Sequence, residues 1–371
     1  MHRFRHFALA TVLAVAALVF TGTAAADGDR GRDGAVYTLT NAAAANAVAV
    51  FERDADGTLD PEGTVATGGN GTGAGLGSQG ALVLDGQRLF AVNAGSNTIS
   101  SLRVEDEDDV ELADIASSQG VRPISLTVHG HLLYVLNAGN TTTPANITGF
   151  LVWRGQLIPL PGSSRPLSTA SPDPAQIEFT PDGRVLVVTE KATNRITTYR
   201  VSFGYASAPF SQPSAGQTPF GFAFDRRGHL IVSEAFGGAP NASVLSSYRV
   251  GDDGTISAID PNVATTETAA CWVVVTKNGR FTYTTNTGSN SISGYSISRG
   301  GDLTLLDADG RTAVTGATPI DAALSRNSRF LYELSAGARE IGAYAVDSDG
   351  SLDPLGAVGG LPAGVVGLAA S

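Results

Sequence analysis

Short apolar runs separated by glycine, aspartate and asparagine recur along this chain, and they recur as a set. Each set reads as a turn, a strand, an Asn-rich loop, a second strand, a Gly/Asp turn and a third strand, with a period of roughly 50 residues. The sets are Gly34–Leu59, Gly86–Leu112, Gly130–Leu160, Gly183–Val201, Gly228–Ile259, Gly279–Leu306 and Ser328–Leu355. A further strand precedes most turns: Gln79–Leu84, Ile124–Val128, Ala175–Thr180, Phe220–Phe224, Trp272–Thr276 and Ile320–Ser325. These are nearly continuous apolar runs, as expected of strands covered on both faces. Repeats of this length, each with several short strands, cannot bury their own faces and must stack on neighbours. The pattern predicts an all-β, seven-bladed β-propeller over residues 34–371.

Only six inner strands lie between the repeats. The seventh is expected at the C-terminus, in Leu361–Ala369, paired with Val36–Thr40 so that both chain ends complete one blade. Such closure removes the free sheet edges that invite aggregation. Asp-Gly pairs at 56–57, 182–183, 253–254 and 349–350 mark tight hairpins, because they accept the positive φ such turns need. Connections alternate between the two faces of a propeller, so the tight turns share one face. The other face collects the loops after each second strand and the inter-blade segments Gly68–Ser78, Pro161–Pro174, Tyr205–Pro219 and Pro261–Ala269. Irregular loops held by a rigid ring are where binding is expected.

The first 26 residues stand apart. A basic start, the apolar run Phe7–Phe20 and Ala24-Ala25-Ala26 before Asp27 read as a secretory signal peptide, and Asp27–Asp33 as a disordered leader. No run is long enough to span a bilayer. The exported chain would keep 22 basic against 35 acidic residues, a surface that repels nucleic acid and anionic lipid. Cys271 is the sole cysteine, so no intrachain disulfide can form, and its apolar setting predicts a buried inert thiol. The Gly68–Gly77 run lacks the Lys-Ser/Thr of a phosphate loop, and the Asp-rich turns lack the distal glutamate of a calcium loop. No cofactor or metal is expected, and the chain is expected to be a monomer.

The recurring Y-V-x-N…N-x-I-[ST]-x-Y pattern, the P-D-G-R turn at Pro181–Arg184 and the closing strand resemble the lactonase-type seven-bladed propellers, the family of 6-phosphogluconolactonase and the carboxymuconate cyclases. The likeness spans about residues 34–371. It implies a site with a Pro-His-x-His stretch entering the fourth blade, an Arg-His pair entering the fifth, and a glutamate ending the next strand. Here the first stretch reads Ser171–Ile177 without histidine, and Phe220-Gly221 stands in place of Arg-His. Only the glutamate remains, as Glu234, while His129, His131 and His229 fall in tight turns of the other face.

One column aligns Asn93, Asn137, Glu190, Glu234, Asn286 and Ser335, with Asn41 at or beside it. Asparagine there can serve a turn, or with Asn137 and Asn286 line a ligand site. Glu190 and Glu234 break the column in adjacent blades, and are expected on the solvated loop face near Lys191, Arg122, Asp173 and Gln176. Such a group could bind a cation, an amine or sugar hydroxyls, work as acid and base, or form a structural salt bridge. Glu178, alone in an apolar inner-strand column, is expected in the central channel. The leading expectation is a catalytically divergent module binding a small polar ligand or an extracellular protein on its loop-rich face. The alternative is a lactone hydrolase or isomerase using Glu234 and Glu190 in place of histidine.

Overall fold

Val, Ile, Tyr, Phe and Thr alternate with small polar residues through the repeats, and the chain takes them as strands throughout. A computed structural model describes residues 34–105 and 109–371; the expected signal peptide and leader lie outside them. Seven antiparallel sheets form, and no α-helix occurs among the described residues, only a 3₁₀ turn at Phe236–Gly238. In blade 2 the strands are Leu82–Asp85, Arg88–Asn93, Thr98–Val104 and Val110–Ser117, here called A to D from the ring axis outward. The A strands of the following blades are Pro123–His129, Pro174–Phe179, Pro219–Phe224, Ala270–Val275 and Pro319–Leu324.

Blade 1 is built from both chain ends, as the closing-strand pattern implied. Val366–Ala370 is its A strand and pairs antiparallel with Ala35–Leu39, Val36 opposite Ala370. Ser371 N–H donates to the Ala35 carbonyl at 2.9 Å, and Ala35 N–H donates to Ser371 Oγ at 2.7 Å. Inside the seam Thr38 Oγ1 donates to the Gly367 carbonyl at 2.7 Å. Leu361, Val365 and Leu368 are buried against blade 7, and Val366 is buried in the core shared with blade 2.

The core lies between blades. Tyr134, Tyr283 and Tyr332, each buried, come from the B strands of blades 3, 6 and 7. Their hydroxyls donate to the carbonyls of Gly204, Gly350 and Gly57, which lie in the outer hairpins of blades 4, 7 and 1. Each hydroxyl thus fastens one blade to the next, satisfying a polar tip that burial would otherwise penalise. Two inter-blade segments read as irregular are partly paired. Phe210–Pro213 pairs with Arg195–Thr198, and Arg165–Pro166 with Asn146–Ile147. The D strands of these blades are interrupted and resume along the same strand C, which a run rich in Pro and Ser concealed.

Candidate functional site

Every B strand of blades 2 to 7 ends on the aligned polar column, at Asn93, Asn137, Glu190, Glu234, Asn286 and Ser335. None of the six has solvent exposure. The expectation that Glu190 and Glu234 face solvent at the mouth is therefore corrected: the inter-blade loop that precedes each blade folds back over the strand end and encloses the side chain. Glu234 accepts hydrogen bonds from Ser214 Oγ at 2.5 Å, Tyr248 Oη at 2.7 Å, Ser246 Oγ at 2.6 Å and Gly216 N–H at 2.9 Å. Glu190 accepts from Thr197 Oγ1 at 2.6 Å, Thr193 Oγ1 at 2.9 Å, Ser168 N–H at 3.1 Å and the Ser168 hydroxyl. In blades 4 and 5 the covering loop presents donors, which calls for a carboxylate. In blade 3 it presents the Ser118 carbonyl, and Asn137 Nδ2 donates to it at 3.2 Å.

The same geometry corrects Asn137 and Asn286 as ligand-binding residues. Asn137 is turned inward to Ser118 and Asn146, and Asn286 Nδ2 donates to Ser291 and Ser293 at 3.0 and 2.8 Å. The hydroxyl two residues into strand C partners the peg in four blades: Ser100, Thr197, Ser246 and Ser293. A second asparagine of the motif clips the next inter-blade segment. Asn97, Asn194 and Asn290 accept, each at 2.8 Å, from the N–H of Arg122, Thr218 and Thr318. All six residues of these clips have φ between 53° and 60°, which explains asparagine at the loop position. The repeat motif had carried these clips as its second Asn, and sequence reasoning gave them no role.

Of the charged residues expected together, Lys191, Asp173 and Arg122 do meet on the loop face. Lys191 Nζ is 3.4 Å from Asp173 Oδ1, donates to the Gly77 carbonyl at 2.7 Å and stands 4.8 Å above the Phe220 ring. Its ammonium is held below the ordinary lysine value by burial, against the pull of Asp173. Arg122 is exposed beside it. Beneath, Phe220 packs on Trp272 with centroids 4.9 Å apart, and Trp272 Nε1 donates to the Ser78 carbonyl at 3.0 Å. Gln79 then reaches from blade 2 to blade 6, donating to the Val273 carbonyl at 2.7 Å and accepting from its N–H at 3.0 Å. Residues 76–79 thus lie across the loop-face end of the channel, with Leu76 buried.

Gln176, expected on the loop face, is instead buried in the channel wall. Its amide bridges the N–H and carbonyl of Phe222 at 2.7 and 2.9 Å and donates to Glu178 Oε2 at 3.0 Å. The channel below Gln79 is a cavity of about 440 Å³ that reaches the tight-turn face at His129 and Pro181. Glu178 lines it, as expected, with Asp321 and Thr127. Burial pushes the Glu178 carboxyl up to about 8 against the Gln176 hydrogen bond, and burial raises Asp321 well above the usual carboxylate range. Near neutral pH, Glu178 can therefore donate or accept a proton, and it is partly open to the cavity. Among the described residues no group of three or more His, Cys, Asp or Glu is placed to hold a metal ion. No described helix is long and apolar enough to cross a membrane.

A family profile described as "Lactonase, 7-bladed beta-propeller" matches residues 156–236 and 242–366. No curated protein matches the chain. Among solved structures, a Lactobacillus plantarum protein is similar at TM-score 0.73 and 17% identity, over 91% of this chain and 98% of that one. A periplasmic gluconolactonase of Pseudomonas aeruginosa gives 0.68 and 17%, over 89% and 98%. A candidate 6-phosphogluconolactonase of Bacteroides uniformis gives 0.70 and 18%, over 90% and 98%. At such identities these likenesses carry the fold alone.

Proposed function

We propose that this chain, which belongs to the lactonase family of seven-bladed β-propellers, is an exported, ligand-binding member in which lactone hydrolysis has lapsed. The observation that carries this reading is the filling of the loop-face end of the channel. Where the resemblance implies imidazoles and a guanidinium, Phe220, Trp272 and Gln79 pack together under Lys191. Both candidate glutamates are occupied by their own loops, Glu234 by Ser214 and Glu190 by Ser168. The remaining open cavity suits a small hydroxyl-rich ligand, because Glu178, Asp321 and Thr127 offer hydrogen-bonding groups within about 440 Å³.

Hydrolysis of 6-phosphogluconolactone and of gluconolactone should then not exceed the spontaneous rate, and gluconate should raise the melting temperature of the intact protein. The rise should vanish in Glu178→Ala. A melting temperature indifferent to gluconate overturns the channel as the site.

A second reading is a lactone hydrolase, favoured by the family match and by the gluconolactonase name among the structural neighbours. On this reading Glu178, the carboxyl held near neutral pH beside the open cavity, would act as acid and base in place of Glu234 and Glu190. Turnover above the spontaneous rate that falls by about 10²–10⁴-fold in Glu178→Gln would establish it. Turnover that instead falls in Glu234→Gln or Glu190→Gln, with stability unchanged, would return the site to the loop face. Export predicts a secreted chain beginning at Asp27, and mass spectrometry finding residues 1–26 retained would exclude it.

A further inference from the structure

The chain is acidic, at net charge −11, yet its charges are not evenly spread over the tight-turn face. Hairpins joining strands A and B ring the channel mouth, and those joining C and D form the outer ring. In blades 5, 6 and 7 the inner hairpins carry Arg226, Arg227, Lys277, Arg280, Arg326 and Arg329, all exposed. Against them stands one inner carboxylate, Asp225, which is buried and engaged by His229 at 3.0 Å and Arg227 at 3.7 Å. Among the described residues, Arg226, Lys277, Arg280, Arg326 and Arg329 make no ion pair within 4.0 Å. The carboxylates of this sector, Asp252, Asp253, Asp302, Asp347 and Asp349, lie in the outer hairpins.

Like charges gathered on one arc raise its local potential despite an opposite net charge. The arc is also shaped. Arg226 lays its stem against Gly279 of the next blade, where an added Cβ would stand 3.0 Å from Arg226 Cγ. Between the turns of blades 6 and 7 a hollow of about 470 Å³ is lined by Lys277, Arg280, Asn278, Asn327 and Ser328, with Phe281 beside it and Asp347 on its outer rim. Lys277 N–H donates to Ser328 Oγ at 2.9 Å, which ties the two turns into one wall.

What is missing from the arc narrows the partner. Among the described residues the exposed large apolar side chains are Leu112, Ile115, Trp153, Ile158, Phe203, Tyr205, Phe210 and Val314, and none belongs to these inner turns. Protein interfaces are anchored by buried aromatic or aliphatic residues, and single-stranded nucleic acid by stacking aromatics, so neither finds its usual anchor here. Amide and hydroxyl groups set between cations suit sugar hydroxyls and an anionic substituent on the same unit. We propose that the inner turns of blades 5–7 form a docking surface for an acidic polysaccharide, with one anionic sugar unit in the hollow between blades 6 and 7. The proposal is independent of the fate of lactone hydrolysis, because it concerns other residues on the turn face.

Affinity electrophoresis of the full mature chain in gels containing alginate, dextran sulfate or neutral dextran tests it. Retardation is expected with alginate or dextran sulfate, weakening as salt is added, and none with dextran; the stronger of the two polymers tells a carboxylate from a sulfate preference. The variant Lys277→Gln/Arg280→Gln/Arg329→Gln should bind on the order of tenfold more weakly. A control of equal charge change away from the inner turns of blades 5–7, Arg103→Gln/Arg154→Gln/Arg195→Gln, should bind as the parent does. No retardation in either anionic gel, equal loss in both triple variants, or tighter binding to duplex DNA than to both polymers would overturn the proposal.

Discussion

At the scale of single residues, the strand-end pegs reverse an expectation drawn from sequence. A polar residue closing a strand is easily read as solvated, and the column from Asn93 to Ser335 was visible in the repeat. What the sequence did not display is the loop folded over each peg, since Ser168 and Ser214 are ordinary loop serines until the ring is closed. Glu234→Ala removes the acceptor of four donors and leaves buried hydroxyls unpaired, so a loss of about 3 kcal/mol or more in urea unfolding is expected. Unchanged stability would mean the carboxylate is free for another task. Glu333 carries a second residue-scale prediction. It is fully buried in strand B of blade 7, accepts from Ser335 at 2.8 Å, and its Oε2 has no partner among the described residues. Burial pushes its carboxyl from 4.5 up to about 8. A carboxyl raised in the folded state keeps its proton where the unfolded chain has lost it. Its contribution therefore declines as pH rises from about 4.5 to about 8 and is level beyond. Glu333→Gln, uncharged throughout, should flatten part of the fall in melting temperature across that window. An identical slope in parent and variant would show that this carboxyl does not drive it.

At the scale of elements, the strand order was legible because period-two alternation and Asp-Gly turns report on backbone pairing, which is local. Contacts across the ring were not legible. Gln79 and Val273 lie 194 residues apart, and nothing in either neighbourhood announces the bridge between them. For the same reason the loop-rich face, where binding was expected, has its channel end covered. The bridge leaves a mark at Gly221, the position where the family resemblance implies histidine. A Cβ there would stand 2.2 Å from Gln79 Oε1 and 2.5 Å from the Cys271 carbonyl. Gly221→Ala should therefore cost roughly 1–3 kcal/mol through overpacking. Removing the obstructing amide as well, in Gly221→Ala/Gln79→Ala, should cost less than the two single changes added together, by at least about 0.5 kcal/mol. Additive costs in thermal or urea unfolding would mean that the two side chains do not meet.

At the scale of the molecule, the ring is sealed where its ends meet. Each blade rests on its neighbours, so the strand Val366–Ala370 supports blade 1 directly and blades 2 and 7 through it. No disulfide can share this work, because Cys271 is the only cysteine; it is buried, and burial pushes its thiol up to about 12. Deleting Leu361–Ser371 uncovers the channel edge of Ala35–Leu39 and removes Leu361, Val365, Val366 and Leu368 from the core. At about 1.5–3 kcal/mol for each buried side chain, that loss is comparable to the whole stability of a typical domain, about 5–15 kcal/mol. The truncated chain should thus lose its cooperative thermal transition and expose Cys271 to a thiol reagent that leaves the intact protein untouched. A truncated chain that melts cooperatively at the parent midpoint, with its thiol still protected, would show that six complete blades and a three-stranded remnant hold the ring without the seam.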